Sequence, residues 1–134
     1  KSKEIIEQYL PVNIVKELHA RGCTDGNTIT LRKDRYVAMS GTLMHEFTHY
    51  LNHFGENSKS QNQEEVEAEI GAMLYGSYFN LDISGKYKYI ALWKSKDVRL
   101  DEAFDVALSS FEELLYGSMD KRGLIDLIEG KEEE

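Results

Sequence analysis

Apolar positions recur with a helical period along most of the chain and alternate in one short stretch. Leu43, Phe47, Tyr50, Leu51 and Phe54 fall at i, i+4, i+7, i+8 and i+11, which predicts an amphipathic helix from about Tyr36 to Phe54. Val66, Ile70, Met73 and Leu74 repeat the pattern in a second helix, from about Gln63 to Phe79. Ile5, Ile6, Leu10, Ile14, Val15 and Leu18 give a helical reading of Ser2 to Ala20, which Pro11 is expected to kink or break into two short helices. The alternating, β-branched run Thr28-Ile29-Thr30-Leu31-Arg32 predicts a strand, entered from the turn cluster Gly22 to Asn27. After a turn at Ser84-Gly85, helices are predicted over Tyr87–Lys94, Asp101–Tyr116 and Lys121–Ile128. The expected fold class is α+β, mostly helical, with one clear strand and a small β-sheet.

At 134 residues, the chain suits a single domain over 1–134, and its start at Lys1 rather than Met fits a piece of a longer protein. A 41% hydrophobic fraction is enough to fill a core. The net charge of −8 argues against direct nucleic-acid binding or an anionic-membrane surface, because phosphates require clustered cations. Part of that charge sits in Glu132, Glu133 and Glu134, an end expected to fray. The longest run without a charged residue, Ile70 to Leu81, is shorter than the roughly 18–20 apolar residues a membrane span needs. The lone Cys23 excludes an internal disulfide framework and any cysteine-pair zinc finger, so the expected location is cytoplasmic.

The segment that bears chemistry is His45-Glu46-Phe47-Thr48-His49. Residues four apart stack on one helical face, so two imidazoles at this spacing can converge on one metal ion. Neutral imidazole nitrogen suits zinc, and a zinc with three protein ligands keeps a position for water. Such water is acidified towards neutral pH, and a neighbouring carboxylate, here Glu46, can take its proton as a carbonyl is attacked. The expected cofactor is one Zn2+ per chain. The competing reading, two surface histidines flanking a solvated glutamate, is weakened by the amphipathic helix around the motif.

A third ligand is expected on the acidic segment Gln63 to Ile70. Glu65 and Glu69 share a face with the small residues Ala68 and Ala72, which would let the two helices approach closely. Glu65 is the choice as ligand and Glu69 as hydrogen-bond acceptor from a metal-bound histidine, with Glu64, Glu67 and Glu69 left open as alternative ligands. The same carboxylates could instead serve a helix start capped by Ser60 or Asn62.

His53 extends the series of histidines, but eight helical residues span about 12 Å, so one ion cannot join His45 to His53 and a rim position is expected. A third histidine ten residues after the first is excluded, since that position is Gly55. His19 is expected at an exposed helix end, and Cys23 in a turn or the core. Tyr50, Tyr75, Tyr78, Tyr87 and Tyr89 are candidates to steady a developing oxyanion, and Trp93 with Ile90 and Leu92 is expected in the core. The strand Thr28–Arg32, if it lies at the sheet edge, could pair with an extended peptide.

His45-Glu46-Phe47-Thr48-His49-Tyr50, the block Glu65 to Ala72 and Tyr89-Ile90-Ala91-Leu92-Trp93 together resemble the zincin-like metallopeptidase domain of ArdC-type antirestriction proteins, found in phages, plasmids and conjugative elements. A shorter resemblance is to the ImmA/IrrE peptidases, with a Glu-x-x-Ala pattern after the histidine motif. The likeness spans roughly Thr28 to Tyr116. It implies a zincin-like fold with an active-site helix and a second, ligand-bearing helix. It also places the third-ligand role on Glu65 and an acidic or amide residue at Glu69.

Two function classes follow. The first is a zinc metallopeptidase acting on a protein or peptide, with His45, His49 and Glu65 as ligands and Glu46 as general base. The second is a non-catalytic acidic module of a mobile element, binding a basic host protein in imitation of DNA, although Lys86, Lys88, Lys94, Lys96 and Arg99 interrupt the negative field. A purely structural zinc would need a fourth protein ligand, for which no residue stands out.

Overall fold

The computed structural model describes residues 2–55, 59–81 and 98–117. Over these the chain is α+β and mostly helical: α1 (Ser2–Ile6), β1 (Val12–Val15), β2 (Gly22–Thr24), β3 (Ile29–Arg32), α2 (Tyr36–Asn52), α3 (Gln61–Tyr78) and α4 (Leu100–Glu112), which widens into a π-helical turn at Glu113–Gly117. The helices expected over Tyr87–Lys94 and Lys121–Ile128, the turn at Ser84-Gly85, the packing of Ile90, Leu92 and Trp93, and the tail Glu132–Glu134 lie outside the described residues. Among the described residues no helix is long and apolar enough to cross a membrane.

The first segment departs from the helical expectation. The helix stops at Ile6, and Val12–Val15 is a strand parallel to β3, with Val12 opposite Ile29 and Val15 opposite Arg32. Pro11 is the reason: it cannot donate to a helix, and its carbonyl instead accepts the Ile29 N–H at 2.9 Å. The chain leaves it extended, a conformation that β-branched Val12, Ile14 and Val15 favour. Leu10 and Val12 are buried while Pro11 between them is exposed.

The sheet order is β1-β3-β2, with β2 antiparallel to β3. The strand expected over Thr28–Arg32 forms, but it is the middle strand, and both its neighbours already use its hydrogen bonds. The expectation that it offers a free edge is therefore corrected, and an edge position falls to β2. That strand lies hard against α2: a Cβ on Gly22 would stand 2.6 Å from the Thr42 methyl group.

Ile29 and Leu31 point from β3 into a core with Ile6, Met44, Phe47 and Leu114. Val66 and Ile70 of α3 close a second cluster with Ala103 and Ala107 of α4. Gln63 pins the start of α4, its Oε1 accepting from Arg99 N (2.8 Å) and its Nε2 donating to Arg99 O (3.1 Å). Ser60 caps α3 by accepting from Gln63 N.

The contact that positions the site is between α2 and α3. The expected small residues Ala68 and Ala72 are buried, and so is Gly71, where a Cβ would stand 2.4 Å from Thr48 Oγ1. That hydroxyl is held by donating to Met44 O at 2.9 Å. Gly71→Ala is expected to cost about 1–3 kcal/mol in thermal or denaturant unfolding. In a Thr48→Ala background most of that cost should disappear, as a double-mutant cycle would measure.

Candidate metal centre

The polar face of α2 meets the first turns of α3. His45 and His49, one helical turn apart, bring their Nε2 atoms to 3.2 Å from each other. Glu65 reaches them both, with Oε2 2.7 Å from His49 Nε2 and Oε1 3.7 Å from His45 Nε2. Among the described residues these three form a group whose donor atoms all lie within 4.8 Å of one another. A tetrahedral ion with bonds near 2.1 Å holds its ligand atoms roughly 3.4 Å apart, so this donor set fits zinc in both kind and spacing. The 2.7 Å contact is the shortest of the three, the separation of a charge-assisted hydrogen bond.

Of the four carboxylates left open by the sequence, each has a distinct place. Glu65 faces the paired Nε2 atoms, and Glu69 Oε2 lies 3.2 Å from Nδ1 of His45, on the far side of that ring. Glu67 is turned away, fully buried against His53. Glu64 lines the cleft.

His53 does more than the expectation gives it. It lines the cleft, yet its side chain is 3% exposed, with Nδ1 2.7 Å from His49 Nδ1 and Nε2 2.7 Å from Glu67 Oε1. The reach argument that removes it as a ligand holds, but a histidine one turn beyond a ligand can touch that ligand's outer nitrogen. Ring spacing supplied the signal, because His49 to His53 repeats the i, i+4 step of His45 to His49. His19 is exposed as expected, yet it lies in the connection between β1 and β2 on the cleft wall, not at a helix end.

None of the tyrosine candidates within the described residues lines the cleft. Tyr50 stacks on Phe47 at the core face of α2, and Tyr75 and Tyr78 pack on Phe79 and Phe111. Tyr87 and Tyr89 lie outside the described residues. Sequence reasoning missed the other wall, β2 with Arg21, Gly22, Cys23 and Thr24, because pairing across a sheet leaves no local sequence mark. The cleft between this wall and the two helices holds about 1160 Å³.

Electrostatics follow from burial beside clustered carboxylates. Burial pushes the Glu46 carboxyl above its usual range; His45 and His49 offset this in part, while Glu65 and Glu69 add to it. Burial works against the imidazolium of His45, but the hydrogen bond to Glu69 and the charges of Glu46, Glu69 and Glu65 outweigh it and raise its pKa. The hydrogen bond from His49 is the main reason Glu65 stays below its ordinary value, against the opposing effect of burial. Cys23 is raised by burial first and then by Glu46 and Asp25, so it faces the cleft as a thiol.

The sequence matches no family model, and no curated protein or solved structure matches it.

Because the folded pKa of Glu46 lies above its unfolded value, the folded state binds that proton more tightly. Stability of the metal-free protein is therefore lost as pH rises through the window between the two values. Metal-free Glu46→Gln is expected to be more stable than the parent at neutral pH. The difference should vanish as pH falls to the ordinary carboxylate range, as melting curves across pH would show.

Proposed function

We propose that this chain is a zinc-dependent peptidase domain of the zincin type. The observation that carries the reading is the convergence of two imidazole edges and the Glu65 carboxylate beside buried Glu46, at an open cleft. The resemblance to ArdC-type and ImmA/IrrE domains supports the same set, His45, His49 and Glu65 for the metal and Glu46 for the base.

When bound, zinc supplies a Lewis acid that polarises a carbonyl and acidifies water. Glu46 removes a proton from the attacking water and delivers it to the departing amine, and its raised pKa brings it closer to the working pH of an acid–base group. Glu69 fixes the ring of His45 by holding Nδ1. Water oxygen joins the carbonyl carbon and the C–N bond breaks. β2, an edge strand on the cleft wall, is suited to align an extended peptide by main-chain hydrogen bonds.

The purified protein is expected to carry close to one zinc per chain by elemental analysis, and His49→Ala little of it; full retention in that variant would reject the ligand set. Glu46→Gln should keep its zinc while cleavage of unstructured peptides, read by mass spectrometry, falls by roughly 10²–10⁴-fold. Undiminished cleavage would remove Glu46 as the base. Partner binding that survives both Glu46→Gln and metal removal would favour the acidic binding module instead.

A further inference from the structure

We propose that His53 and Glu67 form a positioning relay that holds the outer nitrogen of His49 and so fixes its ring with Nε2 towards the metal; the proposal rests on the metal-centre reading above. The proton positions follow from groups whose roles are not in doubt. The Arg99 backbone N–H can only donate, and it meets Gln63 Oε1 at 2.8 Å, so the other atom of that amide is nitrogen. Gln63 Nε2 therefore donates to Glu67 Oε2 at 3.0 Å, and the Lys59 ammonium donates to Glu67 Oε1 at 2.9 Å. Both oxygens of Glu67 are acceptors.

His53 Nε2, 2.7 Å from Glu67 Oε1, must then carry a hydrogen. The other ring nitrogen of His53, Nδ1, lies 2.7 Å from His49 Nδ1. Two ring nitrogens this close share one hydrogen; without metal His49 Nε2 donates to Glu65 Oε2, and with Nε2 given to a metal the hydrogen of His49 sits on Nδ1 and is donated to His53 Nδ1. Burial supports the assignment, because the His53 side chain is 3% exposed and that of Glu67 0%, which leaves little water to substitute for either bond. His53 and Glu67 touch neither substrate nor metal in this scheme and act through His49 alone.

Imidazole ¹⁵N–¹H spectra of the zinc-loaded parent protein test this without any substitution. His49 is expected to carry its hydrogen on Nδ1, hydrogen-bonded to His53 Nδ1, and His53 to be the Nε2–H tautomer; a His53 protonated at Nδ1 would overturn the relay. His53→Phe keeps the ring volume and removes both bonds. In competition titrations it should bind zinc about 10–100-fold more weakly than the parent. Equal zinc affinity in a folded His53→Phe protein would overturn the relay while leaving the metal centre intact. Failure of the parent itself to bind zinc would overturn the metal-centre reading on which the relay rests.

Discussion

The site depends on how closely two helices can lie. Glu65 reaches the Nε2 edges of His45 and His49 because α3 packs on α2 with Gly71 directly over Thr48, leaving no room for a Cβ between them. A side chain there would separate the helices at the depth of the site. The small residues Ala68 and Ala72 on the neighbouring turns are both buried. Around this contact the rest of the fold is support. The middle strand and Phe47 fix α2 from one side, and the cluster of Val66, Ile70, Ala103 and Ala107 fixes α3 from the other.

Bringing these groups together has an electrostatic cost. Glu46, Glu67 and Glu69 are buried, and burial of a carboxylate is unfavourable unless hydrogen bonds or opposite charge compensate. Glu67 is compensated by Lys59, Gln63 and His53, which together outweigh burial and hold it ionised. Glu46 is not, and its pKa rises. The contrast separates two carboxylates on neighbouring helices: Glu67, satisfied by its partners, stays ionised, and Glu46, beside the cleft, holds a proton more tightly than an ordinary carboxylate.

The parts of the structure legible in the sequence are those with local signals. The periodicities over Tyr36–Phe54 and Gln63–Phe79 locate α2 and α3 to within about two residues, and the i, i+4 histidines place both rings on one face. Small residues beside Glu65 pointed to close helix packing, although the decisive one, Gly71, was not distinguished from Ala68 and Ala72. The segment around Pro11 misled because Leu10, Ile14 and Leu18 happen to repeat at four-residue intervals, whereas extended pairing with β3 decides the conformation. Strand order is non-local, so nothing in Thr28–Arg32 could mark it as the middle strand and β2 as an edge. Reach to a metal excludes His53 as a ligand, but the same i, i+4 spacing lets it touch His49.

Zinc-edge X-ray absorption of the metal-loaded protein tests the central claim most directly, because it reads the ligand atoms themselves. The expected spectrum has a first shell of nitrogen and oxygen near 2.0–2.1 Å, with outer-shell scattering from two imidazoles. Scattering from sulfur near 2.3 Å would place Cys23 on the metal. That result, or outer-shell scattering from fewer than two imidazoles, would contradict a centre built from His45, His49 and Glu65.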